Sequence, residues 1–328
     1  METPLSDLEH VRKRPSMYLG DTTWRGLHHL ITELVDNSID QFLAGKASFV
    51  KVEIDGELAT VSDDGDGLPF DVKHESGLSL MEFYLTKIRR NKPTADGHTP
   101  HVHIHGFGCG LFIVGGLTSE LCIRSWRNGK LWEVRMSRGV MQESPRVVDE
   151  GDGKGTWIQL VANSEIFAVS HWDPSWVANK LSEVACLFPG FRIQANDDVF
   201  LRQRGLADWC DRLAQEKDEA IDKPSFWVHE KFGEYQIQAA ASGLTEGDTE
   251  FRVFANGNTC HEGGTHLTAL KRVLSSVNYK PSVAMIHVIL HSPIFAGPTR
   301  SKLEMEEIFD PIYEAIKPRL EVWVNWDK

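Results

Sequence analysis

The stretch LHHLITELVDNSID, residues 27–40, is the part of the sequence that decides the fold. With about 3.6 residues per helical turn, its apolar positions fall on one side: Leu30, Ile31, Leu34, Val35 and Ile39. Its polar positions fall on the other side: Glu33, Asp36, Asn37 and Asp40. His29, four residues before Glu33, is placed to hydrogen-bond that carboxylate and orient it. The pattern predicts a helix that holds a ligand as well as filling a core.

The length and composition indicate an ordinary globular protein with two domains. A single core usually stops growing near roughly 250 residues, and this chain has 328. Its apolar content of 41% and charged content of 25% are typical of globular proteins. The shift in composition at QEKDEAIDKP, residues 215–224, is the candidate boundary and gives domains 1–215 and 216–328.

Charge, targeting signals and cysteines narrow the possible functions. The net charge of −12 argues against a surface that wraps nucleic acid, because phosphate contacts need clustered Lys and Arg. No apolar run approaches the roughly 20 residues that cross a bilayer, and the start of the chain lacks the apolar region of a signal peptide. We therefore expect a cytoplasmic protein without a membrane partner. The five cysteines are scattered and odd in number, so we expect reduced thiols rather than a disulfide framework or a zinc site.

Two glycine-rich segments have both a functional and a structural interpretation. In DDGDGLP, residues 63–69, Asp63 ends a predicted strand, and the turn would let the backbone approach a flat ligand closely. An ordinary Asp/Gly hairpin turn explains it equally well, and the register does not fit an EF-hand. In HGFGCG, residues 105–110, glycines before a helix would leave N–H groups free for phosphate oxygens. Close helix packing is the alternative.

Other segments are less specific. NKPTADGHTP, residues 91–100, is rich in turn formers and is predicted to be a loop. His101, His103 and His105 would share one face of a strand and could chelate a metal, although a polar strand edge explains them as well. In the second half, THLTALKRVLSSV predicts an amphipathic helix with Thr265 as its N-terminal cap.

The motifs, taken in order, resemble those of a known family, whereas no single motif is specific enough to show this. They are VRKRPSMYLGD, ELVDNSID, DDGDGLP, HGFGCG, GTWIQL, FANGNTCHEGGTH and SPIFAGPTRSKL. From about Leu8 to about Leu320, this series closely resembles the N-terminal ATPase region of bacterial gyrase B and topoisomerase IV. The resemblance implies an α+β fold. A GHKL (Bergerat) ATP-binding α/β sandwich over 1–215 would be followed by a ribosomal S5-like transducer domain over 216–328.

The resemblance also implies roles for residues at matching positions. Glu33 would be the general base that polarises water toward the γ-phosphate of ATP, with His29 holding it. Asn37 would bind Mg²⁺ through its amide oxygen. Asp63 would accept the adenine amino group, with Gly67 and Thr156 completing that pocket.

Further implied contacts reach the phosphates. Gly106, Phe107 and Gly108 would hold them, mainly through backbone N–H groups, and Lys92 would close over them from a mobile loop. Arg300 would sense the γ-phosphate. The family usually has Gln-Thr-Lys where this chain has Pro298, Thr299 and Arg300, so the charge is kept and one amide donor is lost.

Other departures concern drug contacts, dimer formation and length. Asp66 stands where the family carries arginine and Gln41 where it usually carries glutamate, and we expect these two positions to pair. Only seven residues precede Leu8, so dimerisation by exchange of an N-terminal arm should be weaker. The chain ends just past the transducer region, and we expect it not to relax or supercoil DNA by itself.

Two functions follow from these patterns. The first is an ATPase in which ATP drives closure of a gyrase B-like dimeric clamp, with a possible topoisomerase cleavage subunit as partner and DNA reached only through a larger assembly. The second is a free-standing GHKL switch or regulator with slow or no hydrolysis and no topoisomerase activity.

Overall fold

The computed structural model describes residues 6–88, 109–216, 224–233, 235–297 and 299–326. The chain divides into two compact units. The first comprises Met1–Ser182 and Phe191–Phe200, and the second comprises Glu183–Gly190 and Leu201–Lys328. The boundary predicted between residues 215 and 216 stays a prediction, since compactness alone does not define a functional domain.

The first unit is built on an eight-stranded sheet in the order β5-β4-β3-β6-β2-β1-β7-β8. β1 pairs with β7 in parallel, and the other neighbours pair antiparallel. Its strands are β1 (Phe49–Asp55), β2 (Leu58–Asp63), β3 (Glu120–Arg127), β4 (Lys130–Ser137), β5 (Val140–Glu150), β6 (Thr156–Val161), β7 (Arg192–Ala195) and β8 (Asp198–Phe200). The helices that begin in this unit are α1 (Asp7–Lys13), α2 (Ser16–Leu19), α3 (Trp24–Leu43), α4 (Leu80–Thr86), α5 (Gly110–Leu117) and α6 (Pro174–Leu187).

The two faces of this sheet differ because side chains alternate along each strand. Val61, Ile158 and Ile123 are neighbours in register and are buried on the face toward the helices. The next residues in each strand, Ser62, Trp157 and Arg124, form a row on the opposite face and are only partly buried or exposed. We call this opposite side the open face.

α3 is longer than the predicted helix because its start is fixed by side-chain caps. The Thr23 hydroxyl accepts a hydrogen bond from the Arg25 amide, and Asp21 accepts one from the Gly26 amide. These bonds satisfy N–H groups that have no partner inside the helix. The apolar side predicted for residues 27–40 is buried, as expected.

The second unit contains a five-stranded sheet in the order β12-β11-β14-β10-β9, with β11 and β14 parallel. Its strands are β9 (Phe226–Phe232), β10 (Tyr235–Ser242), β11 (Glu250–Ala255), β12 (Asn258–Thr259) and β14 (Val283–Ile289), while β13 (Gly263–Gly264) pairs with β15 (Lys302–Leu303). Its helices are α7 (Leu206–Glu216), α8 (Thr265–Ser276) and α9 (Phe309–Val324), the last preceded by a 3₁₀ turn at Glu306–Ile308. Every residue of β14 is buried, so this strand is central to the second core.

The predicted cap of α8 is wrong. Gly264 is the N-cap residue, and Thr265 is already helical. The Thr265 hydroxyl instead accepts a hydrogen bond from the Met305 amide. Gly264 also pairs with Leu303 in the short parallel ladder, so strand pairing fixes where this helix begins.

Among the residues described, no helix has both the length and the apolar content that crossing a membrane requires. All five cysteines lie in the part of the chain that the structure describes, and none of them forms a disulfide there.

Candidate active site

The carboxylate of Glu33 lies beneath the first turn of α5. Glu33 is only 8% exposed, and burial raises its pKa to about 7. A Cβ atom built on Gly110, the first residue of α5, would lie 2.5 Å from Glu33 Oε2. Only a glycine lets the backbone come this close to the carboxylate. The result is a carboxyl group whose pKa suits proton transfer near neutral pH.

His29 occupies the predicted position on α3, one turn before Glu33. Burial lowers its pKa, and the nearby carboxylate of Asp21 opposes that shift in part. The imidazole is therefore neutral around pH 7 and can both donate and accept hydrogen bonds. Its role in orienting Glu33 stays a prediction.

Asn37 follows Glu33 by one turn of the same helix. Its amide nitrogen Nδ2 is buried and has no hydrogen-bond partner among the residues that the structure describes. A buried donor left without a partner typically costs about 1–3 kcal/mol. This donor is therefore available to a ligand.

Asp63 ends β2 and accepts three hydrogen bonds. Oδ1 accepts from the Gly65 amide at 2.9 Å and from the Thr156 amide at 3.3 Å, and Oδ2 accepts from the Ser38 hydroxyl at 2.9 Å. Burial raises its pKa, and these bonds lower it in part. An ionised carboxylate accepts about four hydrogen bonds. One position therefore remains for a donor on a ligand, such as an exocyclic amino group.

The turn after Asp63 is held close to the neighbouring strands by glycines. Gly67 has a φ of +76°, and a Cβ on it would lie 1.8 Å from the Trp126 carbonyl oxygen. A Cβ on Gly155 would lie 1.9 Å from the Asp63 carbonyl oxygen. Larger residues do not fit at either position, so the backbone itself forms the walls beside Asp63.

Two hydroxyl groups connect this turn to the sheet. Thr156 Oγ1 and Ser125 Oγ are 2.9 Å apart, and Ser125 Oγ accepts a hydrogen bond from the Leu68 amide at 2.8 Å. Both residues are buried. The predicted pocket residues Asp63, Gly67 and Thr156 therefore belong to one connected network.

The two positions expected to pair do so through the backbone. Gln41 Oε1 accepts a hydrogen bond from the Asp66 amide at 3.3 Å. The Asp66 carboxylate instead forms an ion pair with Lys46, with 3.2 Å between Nζ and Oδ2. Both partners are about half exposed, and such pairs are worth about 0–1 kcal/mol.

The other predicted residues lie in the second unit or outside the described residues. Arg300 belongs to the second unit, where its backbone has a φ of +54° and its guanidinium lies 5.2 Å from the centre of the Phe295 ring. Burial lowers its pKa. Eight predicted positions lie outside the described residues: Lys92, His101, His103, His105, Gly106, Phe107, Gly108 and Pro298.

Sequence reasoning missed Ser38, Ser125, Gly110 and Gly155. Ser38 directly follows Asn37, so its place next to a candidate ligand residue was a signal that could have been used. Ser125 gave no local signal, because its role depends on Thr156, which is distant in sequence. Gly110 and Gly155 were inside recognised motifs, but only the structure shows what each glycine lies against.

Comparison with known proteins identifies the family of this unit. Residues 22–165 match the family described as histidine kinase-, DNA gyrase B-, and HSP90-like ATPase. Residues 22–165 belong to this ATPase family. The prediction of an ATP-binding GHKL domain is thereby confirmed at the level of the family, and the matched range contains α3, β2 and β6 with their candidate site residues.

The similarity to gyrase B extends beyond that range. The chain is 32% identical to DNA gyrase B of Thermotoga maritima, over 96% of this chain and 55% of that protein. It is also 32% identical to DNA gyrase B of Streptococcus pyogenes serotype M1, over 93% of this chain and 51% of that protein. The chain thus spans about half the length of the curated relatives that it matches.

Solved structures agree with this similarity. The 43K ATPase domain of Thermus thermophilus gyrase B, solved with an aminocoumarin, has a TM-score of 0.81 and 28% identity, covering 98% of this chain and 91% of that one. The topoisomerase IV ATP-binding domain of Francisella tularensis, at 22% identity and a TM-score of 0.81, shares the fold over 98% of this chain and 92% of that one. The predicted fold class, a GHKL sandwich followed by a transducer domain, is confirmed.

Proposed function

We propose that this chain binds ATP with Mg²⁺ and hydrolyses it, with Glu33 as the general base. The observation that carries the proposal is the setting of Glu33, a carboxyl group with a pKa of about 7 held against the start of α5. A positioned base with a pKa near the working pH typically contributes about 10²- to 10⁴-fold to a rate. Above pH 7 the ionised carboxylate would accept a proton from the attacking water.

Asn37 and Asp63 would divide the binding of the nucleotide. The Asn37 side chain would hold Mg²⁺ through its amide oxygen, which leaves the partnerless Nδ2 for a phosphate or water oxygen. Mg²⁺, when bound, neutralises charge on the phosphates. The open acceptor position of Asp63 would receive the adenine amino group, between the backbone walls at Gly67 and Gly155.

The remaining roles rest on the similarity to gyrase B. Gly106, Phe107 and Gly108 would bind the phosphates, Lys92 would close over them, and Arg300 would contact the γ-phosphate. ATP would drive closure of a homodimeric clamp, with a topoisomerase cleavage subunit and DNA joining only in a larger assembly. We also propose that the two domains comprise residues 1–215 and 216–328 and that the protein is cytoplasmic.

The test measures ATP binding by calorimetry and ATP turnover on the same samples with Mg²⁺. Glu33→Gln should bind ATP within about threefold of the wild type and lose about 10²- to 10⁴-fold in turnover. Glu75→Gln, which changes an exposed carboxylate of the same unit, is the matched control and should behave as the wild type.

Three outcomes would contradict parts of the proposal. Turnover at the wild-type rate in Glu33→Gln removes Glu33 as the base. No ATP binding at millimolar concentration rejects the whole site. Binding by the wild type without turnover, and without a rise in mass when a non-hydrolysable analogue is added, rejects the ATPase and favours the free-standing switch.

A further inference from the structure

A second cavity lies in the first unit, on the open face of the sheet. It has a volume of about 340 Å³, and its lining includes Ser62, Arg124, Trp126, Leu131, Lys154 and Trp157. We call it the open-face cavity. Pockets for small molecules typically measure about 300–1,000 Å³, so it is large enough for a small ligand.

The open-face cavity and the candidate active site share Asp63, Gly155 and Thr156, but their other side chains lie on opposite faces of the sheet. Ser125 and Thr156 form their hydroxyl contact on the helix side of the sheet, within the network around Asp63. Side chains alternate along a strand, so the neighbours Arg124 and Trp157 face the other way. β2, β3 and β6 therefore contribute to one site on each face.

The aromatic walls of this cavity are fixed in place. A Cβ on Gly153 would lie 2.1 Å from the Trp126 ring, and a Cβ on Gly151 would lie 3.5 Å from it, so the loop rests directly on the indole. The Arg124 guanidinium lies over the Trp157 ring, 5.6 Å from its centre. A cavity whose walls are already ordered loses little conformational entropy when a ligand binds.

The charge of the lining is positive. Lys154 is exposed between the two glycines of its loop, and the Arg124 side chain is 44% exposed. Arg124 Nε donates to Glu133, a buried carboxylate that also accepts from Arg135 and Arg146. Arg146 also pairs with Glu143, so two carboxylates face three guanidinium groups and leave a net positive charge.

The acidic residue of the lining does not offset this charge. Asp63 borders the cavity, but both of its carboxylate oxygens are hydrogen-bonded on the helix side. An anion placed between Arg124 and Lys154 would bring opposite charge to two cations. A flat ring beside it would pack on Trp126 and Trp157.

We propose that the open-face cavity binds a small planar aromatic anion, with its ring against the two tryptophans and its charged group between Arg124 and Lys154. This cavity borders Asp63 from the face of the sheet opposite the proposed ATP site, and the proposal neither requires nor predicts turnover.

The test uses calorimetric titration with 2-naphthoate and with its neutral isostere 2-naphthamide, in the presence of a saturating non-hydrolysable ATP analogue. The wild type should bind 2-naphthoate saturably with one site per chain, and 2-naphthamide at least about tenfold more weakly. Lys154→Met should weaken 2-naphthoate about tenfold, the effect expected from losing one charge-assisted contact. Lys130→Met removes an exposed cation at the nearby start of β4, outside the cavity, and should bind as the wild type.

Thermal unfolding shows whether each variant is folded, and Lys154 is exposed, so its loss should leave the fold intact. A second variant tests the aromatic wall without changing charge: Gly153→Ala should displace Trp126 and weaken binding of both ligands. The proposal is overturned by the absence of saturable binding, by equal binding of the acid and the amide, or by Lys154→Met binding as tightly as the wild type. It is also overturned if the two ligands bind only when the ATP analogue is omitted, since that would place them in the active site.

Discussion

Replacing Gly110 by alanine should separate the positioning of Glu33 from the binding of nucleotide. The new Cβ would lie 2.5 Å from Glu33 Oε2, whereas ordinary contacts begin near 3.4 Å, so the two groups must separate by about 0.9 Å. Misplacement of a catalytic group by about 1 Å can cost about 10²-fold in rate. We expect turnover in Gly110→Ala to fall by about that factor, while ATP affinity changes by less than about threefold.

The stability of this variant should change little, because two effects oppose each other. Alanine is favoured over glycine in a helix by about 1 kcal/mol, and overpacking typically costs about 1–3 kcal/mol. The matched control is Gly116→Ala in the same helix, where the added Cβ meets the flexible end of Leu8 at 3.3 Å. Steady-state ATP turnover and calorimetric binding are measured on both variants. Wild-type turnover in Gly110→Ala, or an equal loss in Gly116→Ala, would refute the reasoning.

Three further predictions concern pH and recognition. Burial raises the pKa of Glu33 to about 7, so turnover should rise as the pH increases through 7. The free energy of unfolding should fall between pH 4.5 and pH 7, because in that range only the folded state keeps the proton on Glu33. Glu33→Gln should remove both trends. For the free energy of unfolding, the pH-dependent change that it removes is on the order of 3 kcal/mol. Burial lowers the pKa of His266 to about 3, so stability should fall as the pH drops from 6.5 toward 3, and melting curves of His266→Leu should show a smaller fall. Asp63→Asn should weaken ATP binding about 10- to 100-fold in a calorimetric titration, because an amide nitrogen replaces one acceptor oxygen. If the affinity is unchanged, Asp63 does not recognise adenine.

The sequence predicted the helix α3 well in its middle and less well at its ends. The 3.6-residue pattern predicts which apolar side chains face the core, and the structure confirms that these side chains are buried. Helix ends depend on individual capping bonds, and here Thr23 and Asp21 set the start outside the periodic segment. At α8 the same reasoning chose Thr265, because pairing of Gly264 with a distant strand is not visible in local sequence.

The sequence predicts which residues belong to the candidate site better than it predicts the groups that surround them. Asp63 was selected because it ends a predicted strand before a glycine-rich turn, and it is the last residue of β2 in the structure. The three donors that hold it come from α3, the turn and β6, so no window of sequence contains them together. The order of the motifs predicts that these segments form one site, and the structure shows the distances between their atoms.

The pKa of Glu33 shows most clearly what local sequence cannot give. On an isolated helix, a glutamate on the polar side would be hydrated and would keep a pKa near 4.3. In the folded unit the carboxylate is covered by α5, and Gly110 lets that helix start at contact distance. The same glycine therefore lets the start of the helix exclude water from the proposed base. The desolvation of Glu33 arises from this one close approach, which explains why a glycine far along the chain determines the pKa of a carboxylate on the acidic helix.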